Sequence, residues 1–292
     1  MSSWVTDALL PLGNDKLIVC YTDYGAGNGI WSYSTSGWSK ISSWIPDDMK
    51  VLGNGQLVVT FTNYGSGNGI WVYEDGTGWS KIGSWIPDAM AALDNDQLVV
   101  SYTNYGSGNG LWTYQAGTGW SQLGSWIPDN MAASGSGQLF VTYSNYGSGN
   151  GLWGHNGTGW SRVSSWIQED LELLGSGQFA VTYTNYGTGN GIWTYQDGVG
   201  WSQVGSWIPD DLKALGNGQF VVTYTNYGAG NGIWACDGGA WSKVGSWIPD
   251  YLVPWGSDQL AVSYTNYGSG NGVWDVNGGS WTRVSSWIPD MP

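Results

Sequence analysis

One eight-residue phrase, Tyr-Gly-(Ser/Ala/Thr)-Gly-Asn-Gly-(Ile/Leu/Val)-Trp, recurs seven times in this chain. Its closing tryptophan falls at Trp31, Trp71, Trp112, Trp153, Trp193, Trp234 and Trp274, a spacing of 40 or 41 residues throughout. Nothing is left over between the copies. A period near 40 with several short strands per unit is the signature of a β-propeller, one blade per repeat. The expected fold is therefore all-β, a seven-bladed β-propeller with four antiparallel strands per blade and essentially no helix. The 292 residues form one domain in this reading, with blades at about 1–44, 45–85, 86–126, 127–166, 167–207, 208–247 and 248–292.

The second repeat shows why each segment should be a strand. Asp48 to Gly53 is short and semi-apolar, suited to an innermost strand, and Asn54-Gly55 is a strong signal for a two-residue hairpin turn. Gln56 to Thr62 is β-branched and aromatic, as a buried strand requires. The loop Asn63-Tyr64-Gly65-Ser66-Gly67-Asn68-Gly69 leads to a third strand, Ile70 to Tyr73. A tight turn at Glu74 to Gly78 and a fourth strand from Trp79 to Trp85 complete the unit. Two residues after its first Trp, the fourth strand reads Lys40, Lys81, Gln122, Arg162, Gln203, Lys243 and Arg283. Long polar side chains suit an outer edge, where charge discourages pairing with another chain.

The 23 tryptophans obey the same scheme, and only Trp255 falls outside it. Seven close the glycine-rich phrase and seven open the fourth strand, positions that packed sheets fill with large side chains. Eight more follow Ser near the strand end, at Trp4, Trp44, Trp85, Trp126, Trp166, Trp207, Trp247 and Trp287. Eight such elements on seven blades expose the closure: the copies at Trp4 and Trp287 share one repeat phase. The ends are expected to meet there, with or without an exchanged strand.

In a four-stranded meander, the loop joining the second and third strands lies at the same end as the link to the next blade. The opposite end carries only tight turns. The richer end collects an aromatic platform, a carboxylate and two side-chain amides from each repeat. Its candidate ligand-binding residues are Trp44, Trp85, Trp126, Trp207 and Trp247; Asp47, Asp88, Asp129, Asp210 and Asp250; and Tyr64, Tyr105, Tyr146, Tyr227 and Tyr267. The amides are Asn63, Asn104, Asn145, Asn226 and Asn266 before each tyrosine, and Asn68, Asn109, Asn150, Asn231 and Asn271 inside each phrase. A flat apolar surface beside hydrogen-bonding groups suits a sugar ring, whose C–H groups stack while its hydroxyls hydrogen-bond. Seven such sites would turn weak binding into avidity, by a factor on the order of 10² to 10⁴. The plainer role of the same Asp and Asn residues is to cap turns. Asp7, Glu169 and Asp23 are variants, and sites next to Thr6-Asp7 and Gln168-Glu169, which lack Pro-Asp, should bind less well.

Composition narrows the partners. Eight basic against 22 acidic residues give a net charge of −14, which disfavours nucleic acid, whose binding rests on Lys and Arg neutralising phosphates. No run is long and apolar enough for a membrane span, and Met1 leads straight into Ser2-Ser3-Trp4 without a basic-then-apolar leader. The expected partners are neutral saccharides or glycoconjugates, with no nucleic acid, no membrane insertion and a monomeric state. No cofactor or metal is expected, because six of the seven glycine-rich loops lack a carboxylate for a hard cation. No enzyme is expected either. His155 is the sole histidine, and carboxylates recurring in every repeat do not make one asymmetric site. Cys20 and Cys236 belong to blades one and six and are not expected to pair.

Nearly identical, aromatic-rich blades of some 40 residues with one site each resemble the tandem-repeat β-propeller lectins, the group that includes tachylectin-2 and the seven-bladed fungal and bacterial lectins. The resemblance covers the whole chain in architecture and composition, and not in those proteins' binding motifs. It implies multivalent carbohydrate binding at inter-blade sites. The alternatives are a recently amplified or engineered repeat scaffold without a selected ligand, and a protein- or peptide-interaction platform.

Overall fold

The computed structural model describes residues 8–13, 16–22, 25–93, 95–133, 137–175, 177–215, 218–254 and 259–285. Trp4, Asp7, Asp23, Trp255, Trp287 and the expected closure lie outside the described residues.

The fold is all-β: seven sheets, each of four antiparallel strands hydrogen-bonded in sequence order, form the seven blades of a β-propeller. The blades run from 8 to 42, 48 to 83, 89 to 124, 130 to 164, 171 to 205, 211 to 245 and 251 to 285. The chain divides into two compact units, 1–133 and 134–290. Within each unit, the first strands of successive blades touch one another, which makes them the innermost strands. There is no α-helix among the described residues; each glycine-rich loop instead contains one three-residue turn of 3-10 helix, such as Gly65–Gly67.

Blade two consists of Asp48–Val51, Leu57–Phe61, Gly69–Glu74 and Gly78–Gly83. Every residue from Leu57 to Phe61 is buried, because a strand sandwiched between neighbouring blades hides both of its faces. Alternation then sends successive side chains to opposite neighbours. Leu57, Val59 and Phe61 pack with Ile18, Cys20 and Ile30 of blade one. Val58, with Ile70 and Val72, packs with Met90, Leu98 and Val100 of blade three. In the second unit, Ile192 packs with Leu212, Phe220 and Val222 in the same way. The two cysteines are buried and are not joined in a disulfide.

The Asn54-Gly55 turn differs from the two-residue hairpin its sequence suggests. Gly55 N–H donates to the Leu52 carbonyl and Leu52 N–H to the Gln56 carbonyl, both at 2.9 Å. The loop is thus Gly53-Asn54-Gly55, with Gly55 at φ +80°, a three-residue connection whose left-handed position falls on the glycine. The reason is the flanking register, which pairs Val51 with Leu57.

A second departure recurs in all seven blades. The pairing of third and fourth strands slips by one residue, in blade two between Ile70–Gly83 and Trp71–Lys81. The slip is a β-bulge that leaves Ile82 without an opposite residue. The Ile82 carbonyl accepts a hydrogen bond at 2.7 Å from Nε1 of Trp120, which opens the fourth strand of the next blade. Trp79 makes the same bond to Ile41, Trp201 to Val163 and Trp241 to Val204.

Candidate functional site

At the end predicted to carry function, the exposed tryptophan of one blade lies against the loop tyrosine of the next at five junctions. Ring centroids are 4.2 Å apart for Trp44 and Tyr64, 4.6 Å for Trp85 and Tyr105, 4.4 Å for Trp207 and Tyr227, and 4.2 Å for Trp247 and Tyr267. Trp166 and Tyr186 sit at 4.3 Å although Gln168-Glu169 follows. The aromatic pair therefore survives loss of the Pro-Asp sequence. The pairing tryptophans, and Trp126, keep between 44% and 51% of their surface exposed. Two aromatic rings at a tilt present an apolar step with polar N–H and O–H edges.

The loop beneath is held by its own side chains. In blade two, Asn68 Oδ1 accepts the backbone N–H of Tyr64 at 2.5 Å. The closing Trp71 donates Nε1–H to the Gly67 carbonyl at 2.7 Å. Asn109, Asn150, Asn231 and Asn271 hold Tyr105, Tyr146, Tyr227 and Tyr267 in the same manner. Asn231 Nδ2 also donates to the Thr225 carbonyl. These asparagines, predicted as ligand groups, order the loop that presents the tyrosine.

The carboxylates have a comparable task. Both oxygens of Asp47 accept from Thr62, one from its N–H at 2.6 Å and one from its hydroxyl at 2.7 Å. Asp210 binds Thr225 and Asp250 binds Thr265 in the same two-pronged way. Among the described residues, the Glu169 carboxylate keeps only the bond from the Thr184 hydroxyl. Asp47, Asp88, Asp129, Asp210 and Asp250 are exposed all the same. Asn63, Asn104, Asn145, Asn226 and Asn266 are exposed as well. The amide of Asn104 leans on the Thr103 hydroxyl, as those of Asn226 and Asn266 lean on Thr225 and Thr265.

Beside the tryptophan–tyrosine pair a recess opens at the blade junction. Between blades one and two it has a volume of about 310 Å³ and is lined by Ile41, Ser42, Ser43, Trp44, Phe61, Tyr64, Trp71 and Trp79. Between blades five and six the matching residues, Val204, Gly205, Ser206, Trp207, Tyr224, Tyr227, Trp234 and Trp241, line a recess of the same volume. Neither lining contains a formal charge. Burial pushes the Tyr224 phenol above its ordinary range, so it is a neutral hydroxyl at physiological pH. Lys81 Nζ lies 6.0 Å from the Trp71 ring centre and reaches the Ser66 carbonyl, bracing the loop.

Sequence reasoning named the platform and missed the recess walls. The tryptophans that close the phrase and open the fourth strand were assigned to packing alone, yet Trp71 and Trp79 also form the recess. The serine before each exposed tryptophan was passed over too. His155 packs against Trp160 at 4.9 Å, and burial lowers its pKa. Among the described residues no group of three His, Cys, Asp or Glu side chains could hold a metal ion.

No family model and no curated protein matches the chain. Solved structures do. A prolyl endopeptidase structure aligns at TM-score 0.68 with 14% identity, over 94% of this chain and 47% of that one. The likeness is one of fold. The Pyrococcus horikoshii acylaminoacyl peptidase aligns at TM-score 0.55 with 10% identity, over 93% of this chain and 50% of that one. This chain thus spans about half the length of either. The β-propeller domain of the Trilobed protease from Pyrococcus furiosus, described as having an open velcro topology, aligns at 0.57 with 9% identity over 95% of both chains.

Proposed function

We propose that this protein is a multivalent carbohydrate-binding propeller whose sites are the aromatic recesses at the blade junctions, and that it binds its ligand without transforming it. One observation carries the reading: the same uncharged recess, about 310 Å³ and walled by the same aromatic positions, recurs in both units. That space accommodates a pyranose ring. The exposed tryptophan supplies a stacking face, and the serine hydroxyl and indole N–H supply hydrogen bonds at its edge. The carboxylates and loop amides act one step back, by holding the tyrosine in place.

A neutral-glycan array is the first test, followed by titration of the intrinsic tryptophan fluorescence. Binding that free monosaccharide inhibits, and that W44A/W85A/W207A/W247A weakens at least tenfold, is expected. A blank array together with no fluorescence response would overturn the reading and leave the scaffold alternative.

A protein or peptide platform is the second reading. It is favoured by the Trp-Ile pairs Trp44-Ile45, Trp85-Ile86, Trp126-Ile127, Trp166-Ile167, Trp207-Ile208 and Trp247-Ile248, every member of which is at least 39% exposed. Apolar surface of this kind often marks a docking site. Among the described residues no helix is long and apolar enough to cross a membrane.

A further inference from the structure

We propose that, at the blade junctions within each unit, the residue closing the second strand sets which ligands are accepted, by presenting or withholding a phenol in the recess. The inference rests on the carbohydrate reading above. The position is Phe61 and Tyr102 in the first unit and Tyr183, Tyr224 and Tyr264 in the second, so one of these junctions has no hydroxyl there.

The phenols that are present are not equivalent. Tyr183 donates to Ser164 Oγ at 3.2 Å, and Tyr264 reaches the Trp247 carbonyl at 3.5 Å. Tyr224 lines its recess with 95% of its surface buried, and its hydroxyl meets no acceptor among the described residues. Tyr102 is buried to the same degree and its hydroxyl is equally without one. The difference from Tyr183 lies in the preceding blade. Opposite Tyr183 stands Ser164, whereas Gly83, Gly205 and Gly245 occupy the matching positions before Tyr102, Tyr224 and Tyr264. Among the described residues the Tyr264 phenol has only the Trp247 carbonyl, at 3.5 Å.

At the junction with Phe61 the matching residue is Ser42, whose hydroxyl is already spent on the backbone of Trp44. It accepts from the Trp44 N–H at 3.0 Å and donates to the Trp44 carbonyl at 3.4 Å. That recess therefore keeps Ser43 and the loop phenol of Tyr64, while the one at Tyr224 has Ser206, the loop phenol of Tyr227 and the second-strand phenol besides. A recess hydroxyl without a protein partner pairs with a ligand hydroxyl and, once a ligand covers it, penalises a ligand that lacks one. The Tyr102 and Tyr224 junctions should select a sugar with a hydroxyl at the depth of the recess. The Phe61 junction should accept a deoxy sugar equally well.

The test uses the whole chain, with methyl glycosides of glucose, galactose and mannose and their mono-deoxy analogues as probes. The ratio of affinities for parent and deoxy sugar is read by fluorescence titration, and occupancy is read junction by junction in soaked crystals. For one deoxy position, Y102F/Y224F should lower the ratio about tenfold, and S42G/F61Y should bring the parent sugar's preference to the first junction. S164G, which frees the Tyr183 phenol, should raise the ratio. Sugar binding whose ratio is the same in all these variants would overturn the inference while leaving the carbohydrate reading intact. Failure of the unaltered protein to bind any probe, in solution and in crystals, would overturn both.

Discussion

Asp88 and Thr103 are joined by two hydrogen bonds, the Thr103 N–H donating to one carboxylate oxygen at 2.6 Å and its hydroxyl to the other at 2.8 Å. An amide in place of the carboxylate has one acceptor oxygen and must drop one of these bonds. D88N should therefore destabilise the protein by about 1–2 kcal/mol, read as a lower urea midpoint. D88E should lose a comparable amount, since Glu169 keeps the hydroxyl bond alone among the described residues. Unchanged midpoints for both variants would show that the clamp contributes nothing to stability.

Phe140 stands directly opposite Gly154 across two strands of blade four. The other blades pair smaller residues with larger ones there: Val58 with Val72, Val99 with Thr113, Ala180 with Thr194. A Cβ at Gly154 would lie 3.2 Å from the Phe140 ring, so G154V should cost about 1–3 kcal/mol by overpacking. F140V/G154V should recover most of that loss. A double-mutant cycle without a favourable coupling energy would refute the compensation.

Gly65 and Gly69 bracket one loop and should respond very differently to alanine. Gly65 has φ +61° and open space around its Cβ position, so G65A should cost about 1–2 kcal/mol of left-handed strain. Gly69 has φ +128°, and a Cβ there would sit 2.2 Å from the Gly83 carbonyl oxygen. G69A should break the close approach of loop and fourth strand, with a loss well beyond that of G65A in a thermal melt. Equal melting temperatures would contradict this geometry.

Alkaline pH should unfold the protein through its buried tyrosines. Burial pushes Tyr102 and Tyr143 up to about 12, and raises Tyr183, Tyr224 and Tyr264 as well. Above pH ~10 the unfolded chain releases these protons while the folded chain holds them, so stability falls as pH rises from there to about 12. Each such tyrosine contributes up to about 1.4 kcal/mol per pH unit in that window. Urea midpoints at pH 9, 10 and 11 should decline with increasing slope, and Y102F/Y224F should flatten the decline. A flat profile to pH 11 would refute the assignment.

The blade count and strand order could be read from the sequence because seven copies repeat a period-two pattern between glycine-rich punctuation. The exposed tryptophan and loop tyrosine were legible for the same reason. The partners of Asp88 and Asn109 were not, although capping of turns was among the roles their sequence suggested. An exposed carboxylate whose partner lies 15 residues away looks free until the chain turn brings Thr103 beside it. Asn109, whose partner is Tyr105 four residues earlier, was open to reading as a local loop bond. The bulge at Ile82 leaves no mark in composition, since Ile suits a regular strand equally well. The two-residue turn read from Asn54-Gly55 overlooked Gly53, which the strand register places in the loop.

In blade two the carbonyl freed by the bulge accepts from the next blade's indole, while the blade's own Trp79 donates to the preceding blade. One repeat so carries both halves of the joint on opposite faces. A DNA segment coding for one repeat thus codes for both halves of the joint between repeats. Tandem duplication of that segment adds a blade together with its attachment, and no compensating substitution is needed. A chain built this way can change length in steps of one blade without a new substitution at the joint.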